Sequence, residues 1–331
     1  MRIAVVGAGA IGGYLGARLY AAGEEITFIA RGANLAAIRA QGMRLIEEDG
    51  SQVHAAAKAT QQPAEAGPHD VILLTLKAHQ VSAIAPSLQH LWHATTTIVT
   101  MQNGIPWWYF HQHGGEYEGK PVVSADPDGS IARNIDPARI VGSVVYPAAN
   151  LIEPGVVQVV EGNRFSLGEL DGATTPRIQA IAASLIKAGF KAPITHDIRG
   201  EIWLKLWGNL SFNPISALTH ATLEDICRFA PTRELAAQMM SEAQSIAGKL
   251  GVTFKISIEK RIAGAERVGA HKTSMLQDVE QGRPLELEAV VGAVAELGRL
   301  TGTPTPAINA VYACTALLAG TLSRGRLGIA A

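Results

Sequence analysis

The chain has 331 residues, 28 Lys and Arg against 29 Asp and Glu, and a net charge of -1; that length exceeds what one core usually serves, so two domains are expected. The even charge leaves no electrostatic footprint for nucleic acid or an anionic membrane and points to a small-molecule partner. Two cysteines, Cys227 and Cys314, lie far apart without metal-ligand spacing, which argues against a disulfide framework and for a reducing, cytoplasmic setting.

Residues 2–6, "RIAVV", read as a strand buried on both faces, and Ile11, Leu15 and Leu19 at helical spacing predict a helix just past the glycines. Between them Gly7, Gly9 and Gly12 fit the pattern G-x-G-x-x-G, in which one glycine makes the turn, one admits a pyrophosphate to the backbone and one lets helix and strand pack closely. Gly7, Ala8, Gly9, Ala10, Ile11 and Gly12 are therefore the candidate dinucleotide loop, its phosphates held by amides at the positive end of the helix dipole. A purely structural glycine turn is the competing reading. The glycines also cut the apolar run too short for a signal peptide.

Residues 25–30, 70–76 and 96–101 are further apolar, β-branched runs. Alternating with helical stretches, they predict a doubly wound Rossmann-type α/β domain with a parallel sheet and right-handed crossovers. Residues 140–168 carry closely spaced turn signals and are expected to form hairpins appended to that sheet. A helix over 176–188 capped by Thr175 and a strand over 191–195 follow. Beyond His196 the pattern is helical over 198–212, 214–221, 232–250, a stretch to 281, 287–300 and 306–319. The predicted division is thus a dinucleotide-binding domain over 1–194 and an all-helical substrate domain over 195–331. Residues 301–323 are uncharged, but Pro304, Pro306, Asn309 and many small residues make a buried terminal helix the expectation rather than a membrane span.

At the end of the second strand stand Ala30, Arg31 and Gly32. A carboxylate there would serve NAD; a basic residue accommodates the 2′-phosphate of NADP, so NADP is favoured, with an ordinary solvated arginine as the alternative.

The stretch 201–218, "EIWLKLWGNLSFNPISAL", sets Lys205, Asn209 and Asn213 four residues apart on one helical face amid Trp203, Leu206, Trp207 and Leu210. An ammonium in apolar surroundings has a lowered pKa and can protonate a carbonyl oxygen as a hydride arrives at its carbon. The carboxamides, donors and acceptors both, could hold a small polar substrate. The alternatives are a solvated helix face for Lys205 and an N-cap for Asn213 ahead of Pro214. His90 with His93, or His111 with His113, lacks a carboxylate or cysteine at a recognised spacing, and no metal is expected. The cluster "PWWYF" over 106–110 reads as core or interface before pocket wall.

These motifs together resemble the ketopantoate reductases (2-dehydropantoate 2-reductases) over nearly the whole chain: "GAGAIG" at 7–12, "LLTLKAHQ" at 73–80, "MQNG" at 101–104, "KLWGNLSFNP" at 205–214, "KTSMLQD" at 272–278 and "PLELEAVVG" at 284–292. The resemblance implies NADPH-dependent reduction of ketopantoate to pantoate, in pantothenate and coenzyme A synthesis, in a cleft between the two domains. It assigns Lys205 the general acid role and Asn209 and Asn213 substrate contacts. Ser274 would bond the substrate carboxylate, with Met275, Leu276 and Gln277 nearby. Glu286 would lie near both the nicotinamide ribose and the substrate, and Lys77, Asn103 and Ala148 would face the cofactor. The chain departs from the family pattern at Glu288, commonly aspartate, and Val291, commonly asparagine; a further substrate asparagine expected after Asn213 meets Thr222 or Leu223. A reductase of another 2-oxo or 3-hydroxy acid and a non-catalytic NADP sensor are the rival readings, and pairing of the helical domain with a second copy stays open.

Overall fold

Runs that are apolar on both faces must be covered on both sides, and the main sheet shows this. In a computed structural model, which describes residues 1–325, the first runs form β1 (Arg2–Val6), β2 (Glu25–Ile29), β3 (Met43–Ile46), β4 (Gln52–Ala55), β5 (Lys58–Thr60), β6 (His69–Leu74) and β7 (Trp92–Thr100). Four more follow: β8 (Ile140–Val145), β9 (Ala148–Glu153), β10 (Val156–Glu161) and β11 (Phe165–Glu169). The seven-stranded sheet has the order β11-β8-β7-β6-β1-β2-β5. Its neighbours run parallel except β11, antiparallel to β8 at one edge. Ile3 sits opposite Ile26 on one side and Val71 on the other, and Ile3 through Val6 are all buried.

Chain contacts group into two compact units: Met1–Gln102, Trp107–Pro121 and Asp128–Ile198 in the first, Asn103–Pro106, Val122–Pro127 and Arg199–Ala331 in the second. The division follows Ile198 rather than residue 194, and two short segments from the first half of the chain join the second unit. Residues 326–331 of the expected helical domain lie outside the described residues.

In the first unit the helices are α1 (Ala10–Ala21), α2 (Gly32–Gln41), the short α3 (Pro63–Ala66), α4 (Val81–Ile84) and α5 (Ser130–Asn134), and α6 (Pro176–Lys187). Thr175 caps α6 by accepting from the Ile178 amide at 3.4 Å. The expected hairpins over 140–168 need correcting. β8 and β11 belong to the main sheet, but β9 and β10 leave it for a second sheet of order β4-β3-β10-β9. α1 lies against both sheets. A methyl on Gly16 would meet the Phe28 ring of β2 at 2.3 Å, and one on Gly13 would meet Val157 of β10 at 2.6 Å. The extra glycines of α1 thus make it thin on two faces. The strand expected over 191–195 is reduced to two isolated parallel bridges, Arg164 with Lys191 and Leu167 with Ile194. The Trp107–Phe110 cluster is core: all four rings are buried, and the Trp108 indole donates to Thr100 Oγ1 at 3.0 Å.

The second unit holds α7 (Ile198–Thr219), α8 (Leu223–Arg228), α9 (Ala230–Lys249), α10 (Ile258–Arg267), α11 (Ser274–Glu280), a π-helical turn (Glu288–Gly292) continued by α12 (Ala293–Leu300), and α13 (Pro306–Ser323). Pro214 does not start a new helix. It lies inside α7, where its missing N–H leaves the Leu210 carbonyl without the usual donor; Asn213 is therefore a mid-helix residue, not a cap. The terminal helix is also less buried than its sequence suggests. Only Ile308, Val311 and Thr315 of α13 are buried, and Leu317 is 68% exposed. By length and composition α13 could cross a membrane, though it packs along one side on α9 and the π-helical turn.

Candidate active site

In the first unit β1 runs into Gly7, whose φ of +106° is open to glycine and costly for a side chain. Its amide donates to the Ile29 carbonyl at 3.0 Å, tying the loop to β2. α1 starts at Ala10 with no side-chain cap and no acidic residue in its first turn. Its leading amides and dipole are therefore available to an anion. A methyl placed on Gly9 would find nothing within 4 Å, so open space lies beside that residue. The loop over Gly7, Ala8, Gly9, Ala10, Ile11 and Gly12 fits a dinucleotide.

Two residues that sequence reading missed hold this loop. Thr75 Oγ1 donates to the Gly7 carbonyl at 2.7 Å. Asn34 Nδ2 donates to the Ala8 carbonyl at 2.6 Å while its Oδ1 accepts from the Gly155 amide at 2.7 Å. Both lie far from the loop in sequence, and a lone Thr or Asn gives no local signal. Arg31 precedes α2 and is exposed. Lys77 follows β6 and opens the turn Ala78–Gln80, its amide donating to Gln80 Oε1 at 3.2 Å. Ala148 begins β9 opposite Glu161 in the second sheet.

The second unit contains a small pocket lined by Asn103, Asn209, Asn213, Ser274, Met275, Asp278, Glu286 and Val290. The unbroken helix α7 keeps Lys205, Asn209 and Asn213 in one row, and Trp203, Trp207 and Leu210 anchor it as fully buried side chains. Lys205 reaches the pocket through Asn103: its Nζ donates to Asn103 Oδ1 at 2.6 Å. Asn103 Nδ2 in turn faces Glu286 Oε2 at 3.4 Å. Although part of the Lys205 residue stays accessible, burial of the ammonium pushes its pKa down to about 8, against the opposing pull of Glu286. An amine with that pKa is charged at neutral pH yet gives up its proton readily.

Of the residues expected about the substrate, Ser274 and Met275 line the pocket and Leu276 and Gln277 do not. The reason is the helical period of Ser274–Glu280. Thr273 caps α11 by accepting from the Leu276 amide at 3.2 Å, so residues 274, 275 and 278 share a face. Leu276 is turned into the core, and Gln277 Nε2 bonds the Lys272 carbonyl at 3.2 Å. The same helical geometry brings in Asp278, which the sequence reading passed over; it is buried and paired with Arg283 Nε at 2.8 Å. The two departures noted from the family pattern fall outside the wall. Glu288 accepts from the Tyr312 hydroxyl at 2.9 Å, and Val291 is fully buried. Among the described residues no group of three or more His, Cys, Asp or Glu is arranged to hold a metal.

The profile of the family described as ketopantoate reductase PanE/ApbA matches residues 3–172, and that of its C-terminal region matches residues 197–319. A 2-dehydropantoate 2-reductase from Mesorhizobium japonicum is 52% identical over 320 residues, 96% of this chain and 98% of the relative. Among solved structures, a 2-dehydropantoate 2-reductase from Geobacter metallireducens is 29% identical with a TM-score of 0.83, covering 96% of this chain and 99% of the other. D-mandelate dehydrogenase, solved with NADH and anilino(oxo)acetate, shares the fold at 21% identity and a TM-score of 0.83, covering 98% and 100%.

Proposed function

The chain belongs to the ketopantoate reductase family, and from that premise we propose that it reduces 2-dehydropantoate to pantoate with NADPH, Lys205 serving as the acid. It is an NAD(P)-binding reductase. Gly7 to Gly12 would hold the dinucleotide, with Lys77, Asn103 and Ala148 as further contacts, and when bound it would supply the hydride for the ketone carbon. Lys205 gives its proton to the ketone oxygen, so charge does not build on that atom. Glu286 favours the charged form of Lys205 before transfer. Asn209, Asn213 and Ser274 offer donors and acceptors to the carboxylate and hydroxyl of the substrate, and Met275 and Val290 provide apolar wall for a branched carbon. One observation carries this reading: a desolvated ammonium bonded to an asparagine on the wall of a pocket lined by amides.

Oxidation of NADPH and of NADH with a panel of 2-oxo acids tests it. The expected result is highest kcat/KM for 2-dehydropantoate with NADPH, and a KM for NADPH raised by Arg31→Ala well beyond any change in that for NADH. Preference for another acid favours the rival reductase; cofactor binding without turnover favours the sensor. Equal effects of Arg31→Ala on both cofactors remove Arg31 from the site.

The exposed apolar side of α13, with Leu317 outward, supports pairing with a second copy of the chain; sedimentation equilibrium giving the mass of a single chain overturns that. A cytoplasmic setting suits the free thiols of Cys227 and Cys314, and recovery of the protein with membranes on fractionation overturns it.

A further inference from the structure

The turn that carries Asn103 is joined to the segment that follows Glu286 by a contact the reaction itself does not require. In the π-helical turn Glu288–Gly292 the Ala293 amide donates to the Glu288 carbonyl, five residues back. An α-helix would send that amide to the Ala289 carbonyl instead. Released from that bond, the Ala289 carbonyl accepts from the Ile105 amide at 2.9 Å. Gly104 makes the approach feasible. Its φ is +90°, and a methyl on it would lie 2.2 Å from the Ala289 oxygen and 2.4 Å from the Ala289 carbonyl carbon. Both obstacles are backbone, so no side chain can turn aside to admit it. Asn103, one residue earlier, spans from Lys205 Nζ at 2.6 Å to Glu286 Oε2 at 3.4 Å.

We propose that the Asn103–Ile105 turn and the π-helical turn Glu288–Gly292 form a backbone clasp that fixes Asn103 between Lys205 and Glu286, with Gly104 as its positioning residue. The clasp deepens the reading of Lys205 as the acid and rests on it. A continuous α-helix after Glu286 would keep the Ala289 carbonyl for itself, and the turn bearing Asn103 would lose its bond through Ile105. From the far side the same segment is held by Tyr312, whose hydroxyl donates to both Glu288 oxygens at 2.9 and 3.0 Å.

The test compares wild type, Gly104→Ala, Asn103→Ala and Lys205→Ala by steady-state kinetics with NADPH and 2-dehydropantoate across pH. The charged groups about the pocket are Lys205, Glu286 and Asp278, the last paired with Arg283. Displacing Asn103 removes an acceptor that favours the charged ammonium, so the alkaline limb of kcat should move to lower pH. Gly104→Ala is expected to lower kcat by on the order of 10- to 100-fold, as misplacement by a fraction of a bond length to an ångström does. Asn103→Ala, which spares the backbone clasp, should give the same displacement of the limb. If Gly104→Ala does not fold, Tyr312→Phe, which loosens the same π-helical turn by removing its bond to Glu288, decides: a displaced limb supports the clasp, and an unmoved limb in it or in Asn103→Ala overturns it. A folded Gly104→Ala enzyme with wild-type kcat and pH limb overturns the clasp while loss of turnover in Lys205→Ala leaves the reading of the site standing. Wild-type turnover in Lys205→Ala overturns both.

Discussion

Replacing Lys205 by alanine is expected to lower kcat by about 10²- to 10⁴-fold, the usual contribution of a positioned general acid, while NADPH still binds. That factor corresponds to about 3 to 5 kcal/mol of barrier. Among the residues lining the pocket, Asn103, Asn209 and Asn213 are carboxamides and Ser274 an alcohol, which can bond a ketone oxygen but are far weaker acids than an ammonium; of the two carboxylates, Asp278 is engaged by Arg283 and Glu286 accepts from Asn103. Water admitted by the truncation is a far weaker acid than an ammonium with a pKa of about 8. The same value sets the pH dependence. Lys205 donates only when charged, so kcat should be level below its pKa and fall as pH rises through about 8, and the falling limb should be absent from the residual rate of Lys205→Ala. A correctly folded Lys205→Ala enzyme that turns over at close to the wild-type rate would mean that the proton comes from elsewhere.

What the sequence made legible here is what short-range periodicity can encode. Residues 3–6 are apolar without interruption because both faces of β1 are buried, and the step of four between Lys205, Asn209 and Asn213 survives as one row on α7. Pro214 misled because its usual place is a helix start, yet α7 tolerates the loss of one donor and continues. β3, β4 and β5 escaped for a different reason. They have three or four residues each, several of them exposed, and β3 is held in part by parallel pairing of Arg44–Ile46 with Val156–Gln158, more than a hundred residues away. No local pattern announces such a partner. The same limit applied to the site. Asn103 could be named from its motif, but not that it would bond Lys205, and nothing singled out Asp278 until α11 set it on the pocket face of Ser274 and Met275. The exposed side of α13 reverses the argument: an apolar composition says that burial is favourable, not what supplies it.

The glycines of the dinucleotide loop give the second large effect, and they separate space needed for folding from space needed for a ligand. A methyl on Gly12 would lie 2.0 Å from the Gly7 carbonyl oxygen, 2.6 Å from Thr75 Oγ1 and 3.0 Å from Val5. It would wedge into the bond from Thr75 to Gly7 that closes the loop. Overpacking of this kind costs about 1 to 3 kcal/mol and sometimes more, only partly offset by the 0.5 to 1 kcal/mol that Ala gains over Gly in a helix. Gly12→Ala should therefore melt several degrees lower. Its NADPH affinity should fall about 10- to 100-fold, the equivalent of losing one charge-assisted amide contact of about 1.5 to 3 kcal/mol. Gly9→Ala makes the contrast. Its φ of -78° suits any residue and its methyl meets nothing within 4 Å, so the melting temperature should stay at the wild-type value while NADPH affinity falls, since the methyl occupies the room a pyrophosphate requires. Calorimetry and NADPH fluorescence titration of the two variants read these effects separately. Wild-type affinity in Gly9→Ala would show that this opening is not where the phosphates approach, and an unchanged melting temperature in Gly12→Ala would show that the contact between α1 and the Gly7 carbonyl can relax.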